Sequence, residues 1–398
     1  MIGRGLARFG KMLSVVAALG VGIVLLPRVA PAQPTGPGAG PATPAPGAKD
    51  LGENIKSATN VGPFGNQIQA FIDERVKVLA GKDPVEQSKA REDLVRQVNP
   101  GAGGQAPTPA FMTDYARRLN AALLPLAQSQ DIRVRLNAAI VAARVSQGAG
   151  NAMLLSTTQA LLKDASDAVV LWALRGAQAI LPSSIQGGAD QLVPAIIPIG
   201  QTRPHVINGV YDALTIPTKD AKVLGVVIPA IHSVLDARIK QYVNGMPYDA
   251  FAEVRPFAYL VGQDEYQGQT VAQKLMTAQR LSDLLYVSAQ RAGDVNNEQR
   301  QEIVNMLQKV GSALSVIGQR EGNAQVEQLG LALRNMPRNA AAKEMQERVA
   351  PVYEALRSLP RFKALAKPPT VGQMTEAPDP GTRPPPPATA STGPSAGR

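Results

Sequence analysis

Apolar residues along this chain recur at intervals of three and four. Ile68, Phe71, Ile72, Val76 and Leu79 fall on one face of a helix, and helical periodicity runs on in a first block to about Val98. Inside that block Asp83-Pro84 predicts a second helix start, because Asp caps well and Pro is tolerated where its missing N–H has no intrahelical partner. Residues 228–242 and 251–261 are further helix candidates, divided by the turn signal of Asn244, Gly245, Met246 and Pro247. Two long amphipathic helices follow over 268–292 and 297–320, the second with Ile303, Leu307, Val310, Leu314 and Ile317 in four-three spacing. The tight connection from Asp294 to Asn297 predicts that they lie antiparallel. Their short seam favours packing within the chain over an oligomeric coiled coil. A last helix over 340–359 carries Met345, Val349, Val352, Leu356 and Leu359, with a kink expected at Pro351. Strand-like alternation is absent from every long window, so the fold expected is all-α.

The stretch from Phe111 to about Thr215 carries a repeat. Asp131 is followed by Val134, Arg135, Asn137 and Ala138; thirty-six residues on, Asp167 is followed by Val170, Leu171 and Ala173; another thirty-six on, Val206 and Gly209 fall in register. Asn137, Ala173 and Gly209 align as short side chains, which close helix packing requires. Each segment is preceded by a shorter apolar one: Leu119, Leu123 and Leu126; Leu154, Leu155, Leu161 and Leu162; Leu192, Val193, Ile196 and Ile197. This pattern resembles the second helix of a HEAT-type repeat, an Asp followed by Val-Arg and then small residues. The resemblance implies a HEAT-like α-solenoid of helical hairpins over 111–261, with the long helices of 262–360 following as an antiparallel bundle. Arg135 becomes Leu171 and Ile207 in the later units, and a non-repetitive bundle is the competing reading. Pro194, Pro198, Pro204 and Pro217 predict short or kinked helices here.

Solenoids of this type bind partners along the ridge of their second helices. The polar and aromatic candidates on that ridge are Arg133, Arg135, Asn137 and Arg144, then Trp172 and Arg175, then His205, Asn208 and Asp212. Trp172 is the only tryptophan and would make a partner anchor. Its apolar neighbours Val169, Val170, Leu171 and Leu174 equally suit a core position. Arg133 and Arg135 could instead bridge neighbouring repeats, as Asp and Arg do in the HEAT-like family.

The ends of the chain differ from its middle. Arg4, Arg8 and Lys11 precede an apolar-and-small run from Met12 to Leu26, and Ala30-Pro31-Ala32 supplies small residues for cleavage. That layout predicts an export signal over 1–32, since fifteen residues fall short of the roughly 20 a membrane span needs. Residues 33–48 read as a Pro/Gly/Ala spacer, 49–98 as an N-terminal helical segment, 99–110 as a linker and 361–398 as a disordered Pro-rich tail. Loss of four bases with the signal takes the formal charge from +10 to +6. The tail holds five bases against two acids, so 33–360 retains only +3. Bases there alternate with acids instead of clustering among aromatics, which argues against a nucleic-acid partner. The chain has no cysteine, so the fold depends on apolar burial and thiol chemistry is excluded.

No residue stands out as catalytic, metal-binding or cofactor-binding. His205 and His232 lack carboxylate or His partners at metal spacing. No nucleophile elbow, phosphate loop or zincin motif occurs. Asp294 to Glu298 departs from a calcium loop at Gln299 and Asn305, and Asn296 or Asn297 fits a helix cap better. The acid pairs Asp73-Glu74, Glu92-Asp93 and Asp264-Glu265 read as solvated helix faces, since adjacent helical residues diverge by about 100°. The expectation is an exported, non-enzymatic helical scaffold in a bacterial periplasm or outside the cell, binding a protein or envelope component; a helical hydrolase of wall polysaccharide is the alternative. The mature protein is expected to begin at Gln33, and the intact mass of the exported product checks it: retention of Arg4 and Arg8 would refute cleavage.

Overall fold

Asp83 accepts hydrogen bonds from Val85 N and Glu86 N, and Pro84 opens the helix behind it, as the sequence predicts. In the computed structural model, which describes residues 50–99, 105–183, 188–245 and 252–371, the described residues form helices and turns without a strand. They fall in one compact unit. The export signal, the 33–48 spacer and the tail beyond 371 lie outside the described residues.

The helices alternate between two layers. After a short α1 (Glu53–Lys56), hairpins pair α2 (Gly65–Leu79) with α3 (Pro84–Arg96), α4 (Pro109–Leu123) with α5 (Ile132–Ala149), α6 (Leu155–Leu161) with α7 (Asp167–Ile180), and α8 (Gly188–Thr202) with α9 (Ile207–Leu214). Then come α10 (Ala221–Val243), α11 (Val254–Leu260), a one-turn-plus α12 (Gln263–Gly268), α13 (Val271–Arg291), α14 (Asn297–Arg320), α15 (Ala324–Arg334), α16 (Ala342–Val349) and α17 (Val352–Arg357). One layer runs α2, α4, α6, α8, α10, α13, α16, each packed on the next. The other runs α3, α5, α7, α9, α11, α14, α15 in the same way.

Two boundaries move as a result. The 49–98 segment is not set apart by the 99–110 linker, for α2–α3 stack on α4–α5 as the first hairpin of the series. Thr108 fastens that linker's end: its N–H reaches Lys56 O at 2.9 Å and its hydroxyl Ala58 O at 2.6 Å. Likewise α13 and α14 pair as the antiparallel hairpin expected, and the same two helices extend both layers past residue 262. Val134, Val170 and Val206 are all buried, as the repeat requires.

Proline and glycine account for the local surprises. The helix α8 continues through Pro194 and Pro198 because both rings lie on its exposed face. The helix α10 begins at Ala221, earlier than expected, capped by Asp220, and it runs through an exposed Pro229 one turn after the open Gly225. Pro351 does more than kink the last helix; it divides α16 from α17. Past α14, Gly322 takes a φ of 67° and Asn323 N–H returns to Gly318 O at 2.8 Å, closing a C-terminal motif that starts α15 at once. The pair α14–α15 is packed backbone on backbone. A Cβ at Gly318 would lie 2.3 Å from Glu327 N, and one at Gly330 2.2 Å from Ser315 N.

The first residues of the tail expected over 361–398 pack on the core instead. Pro360–Phe362 makes a further turn, Phe362 and Leu365 are buried, and Ala366 N–H donates to Gln279 Oε1 on α13 at 2.7 Å. Arg361 adds a bond to both carboxylate oxygens of Glu321 at 3.1 Å. The apolar pair of side chains gave this segment something to bury, which the Pro count of the tail obscured.

Gly330→Ala should cost roughly 3 kcal/mol, because the new methyl meets backbone that cannot turn aside. Gly225→Ala, where the space is open, should gain about 0.5–1 kcal/mol from helix propensity. Urea unfolding of both variants checks the pair; equal effects would mean that α14 and α15 are not in backbone contact.

Candidate functional site

The second-layer helices α5, α7 and α9 carry every ridge candidate read from the sequence, or the turn leading into it. Their side chains separate into two groups. Arg135 is absorbed by the fold: Nε reaches Asp164 Oδ2 at 2.5 Å, while Nη1 donates to Ser129 O at 2.8 Å and Gln130 O at 3.1 Å. Asp164 in turn caps the turn into α7 through Ser166 N at 2.7 Å, and its backbone oxygen accepts Arg203 Nη2 at 2.7 Å. Arg203 also reaches Asp167 at 3.4 Å, so guanidinium and carboxylate alternate from hairpin to hairpin. Asn137 is buried, accepting from Arg91 at 3.1 Å and facing Gln87 at 3.4 Å across α3 and α5. Asp212 is paired with Arg255 of α11. Arg135, Asn137 and Asp212 thus hold neighbouring helices together, the bridging role weighed for Arg135.

Arg144, Trp172 and Arg175 are brought together instead. The Arg175 guanidinium lies 4.4 Å from the Trp172 ring centroid and that of Arg144 5.9 Å. Trp172 is half-buried, neither a core residue nor a free one. Arg144 is also bonded to Glu92 of α3 at 2.9 Å. Arg175 is exposed and makes no ion pair or hydrogen bond among the described residues. Arg133 sits at the exposed start of α5, 3.6 Å from Asp131, the residue that caps the helix. His205 and Asn208 are exposed at the start of α9. One residue escaped the sequence reading: Leu171, 37% exposed beside Trp172. The signal was present, because Leu171 occupies the register of Arg135 and has no carboxylate to bind there.

A cleft of about 590 Å³ opens between α2 and α3. Its acids are interleaved with bases: Glu74 with Arg75 at 2.5 Å, Glu86 with Lys89 at 2.8 Å, Asp93 with Arg96 at 3.5 Å. Two acids elsewhere are held above the usual carboxylate range by burial. Glu253 is bonded to Arg238 at 3.1 Å and to the Tyr242 hydroxyl at 2.9 Å. Asp283 accepts from Tyr353 and from Gln279, the latter at 2.8 Å. Both are enclosed in helix packing. Among the described residues no three His, Asp or Glu side chains converge as metal ligands, and no helix is long and apolar enough to cross a membrane.

The two histidines have different surroundings. His232 is fully buried between α10 and α13, with Nε2 2.9 Å from Thr277 Oγ1. That hydroxyl donates onward to Gln269 Oε1 at 2.8 Å, whose amide donates to Leu260 O at 2.7 Å. The direction of the chain makes His232 Nε2 the proton donor and leaves Nδ1 bare, without a partner. Desolvation, helped by the Arg280 charge, lowers its pKa to about 4.

No protein-family model matches the chain, and no curated protein matches it. Among solved structures, an engineered protein aligns at 17% identity over 72% of this chain and 96% of its own, with a TM-score of 0.33. A chain from a structure concerning a conserved phosphorylation switch that controls the interaction between cadherin and beta-catenin aligns at 16% identity over 72% of this chain and 65% of its own, with a TM-score of 0.28. The likeness to HEAT-type repeats rests on the two-layer packing of this chain's own helices.

His232 gives a pH dependence. Its folded pKa, about 4, lies below the unfolded value of about 6.5, so the unfolded chain binds the proton first and stability falls as pH drops from 6.5 toward 4. The loss at pH 5 relative to pH 8 should be about 2 kcal/mol. Urea unfolding of the wild type and His232→Gln at both pH values checks this: the variant should lack that share of the acid loss, and parallel losses would refute it.

Proposed function

We propose that this protein is an exported, non-enzymatic scaffold whose second-layer ridge binds a polypeptide of the cell envelope. The observation that carries the reading is the arrangement at the middle of the ridge: one half-buried tryptophan, an exposed leucine beside it and an arginine stacked on its ring. An aromatic of this kind is already partly ordered by its neighbours, so a partner that covers it gains apolar burial at little further entropic cost. The bonding of the buried acids into helix packing supports a binding role over hydrolysis, because neither is aimed into a cleft where a substrate could lie. Export is supported by the order of bases, apolar run and small residues over 1–32.

Site-specific photo-cross-linking in the intact cell tests the reading. A cross-linker at Ala168 or Asn208, both exposed on the ridge, should give a discrete polypeptide adduct, and one at Met276 on the other layer should not. Adducts at neither ridge position would sink the proposal.

A further inference from the structure

The chemistry of the ridge narrows its partner. A guanidinium held over the face of an indole gives none of its N–H donors to the ring, and its fork matches the two oxygens of a carboxylate. Arg175 is held in that way, 4.4 Å from the Trp172 ring, and its donors have no acceptor among the described residues. Stacking also removes part of the side-chain entropy that an ion pair would otherwise cost. Arg144 lies on the same ring, but Glu92 already takes one of its donors, so the site presents one unsatisfied fork in place of a broad positive field. Asp131 and Asp167 lie along the same pair of helices. Evenly charged polyanions such as nucleic acid or a phosphate polymer would meet these carboxylates along with Glu92. One helical turn before Arg175 on the same face lies Leu171, 37% exposed. The complement of such a patch is a carboxylate with an aliphatic side chain close to it.

We propose that the Arg175–Trp172 stack is the recognition site for an acidic, leucine-bearing peptide segment of the partner, Arg175 forking the carboxylate and Trp172 with Leu171 covering the aliphatic side chain. This rests on the binding role of the ridge argued above.

Trp172 is the chain's single tryptophan, so its fluorescence reports on this site alone. The protein from Gln33 to Arg398 is titrated with a twelve-residue peptide of alternating Leu-Glu pairs and Gly-Ser spacers, and with the same peptide carrying Gln for every Glu. The Glu peptide should shift the Trp172 emission saturably, and the Gln peptide should bind at least tenfold more weakly. Arg175→Gln, an exposed change checked by an unaltered melting temperature, should bring Glu-peptide affinity down to that of the Gln peptide while leaving the latter unchanged. Equal affinity for the two peptides, or an Arg175→Gln loss shared by both, would overturn the acidic specificity while leaving ridge cross-linking intact. Binding to phosphatidylglycerol vesicles with no response to either peptide would overturn it in favour of a lipid surface. Loss of the cross-links themselves would remove the ridge as a binding site altogether.

Discussion

A stack two helices thick has no centre. Its core is the series of seams between successive hairpins, and each hairpin is sealed only when a neighbour covers it on both sides. Without a cysteine in the chain, every seam must hold by non-covalent contacts alone. That constraint explains why small residues stand where helices cross. Gly209 admits Leu171 and Leu174, Gly176 admits Ala143 and Thr158, and Gly311, Gly318 and Gly330 let α14 and α15 touch along their backbones. It also explains why the last seam is closed by residues beyond 360. Phe362 and Leu365 are buried where the turn of Pro360–Phe362 packs on α13 and α17.

Apolar seams fix distance better than register, since one helix can slide a turn along another and still bury similar area. The buried polar groups remove that freedom. Arg238 on α10 meets Glu253, Gln241 and the Tyr242 hydroxyl, and Gln241 reaches back to Gln201 O on α8 at 2.8 Å. Arg291 on α13 donates to the last carbonyls of α10, Tyr242 O at 3.2 Å and Val243 O at 2.7 Å, where a helix end carries partial negative charge. A slip of one turn would leave a guanidinium or a carboxylate buried and unpaired, at a cost of about 3–5 kcal/mol. The network therefore sets the register in which these helices meet.

The sequence made the helices legible because their periodicity is local, and it made α5 and α7 legible as a repeat because an Asp stands at the start of each, Asp131 as the cap of α5 and Asp167 as the first residue of α7, and Val134 and Val170 are buried in both. What it concealed depended on distant partners. Nothing local in the 49–98 segment says that α3 will lie on α5, and the contact is made by Gln87 and Arg91 with an asparagine some fifty residues away. Pro194 and Pro198 predict short or kinked helices because a proline's cost is known from its neighbours, whereas its relief comes from the face on which it lies. The helix α15 was missed for a similar reason: Gly322 and Asn323 resemble a loop until Asn323 is seen to serve the end of one helix and the start of the next.

The ridge shows how two arginines on neighbouring helices come to different surroundings. Arg135 and Arg175 each project from a second-layer helix, and by residue type they were equal candidates. Arg135 finds a carboxylate and two carbonyls within the stack, so its donors are satisfied and a partner could only compete for them. Arg175 finds an aromatic ring, which orients a guanidinium without satisfying a single N–H. Replacement of the arginine register by Leu171 opens the surface beside it, and the apolar exposure that results lies next to the unspent donors. The two arginines thus differ in surroundings and not in kind: the stack accepts the hydrogen bonds of Arg135, whereas the ring orients Arg175 and leaves its donors at the surface.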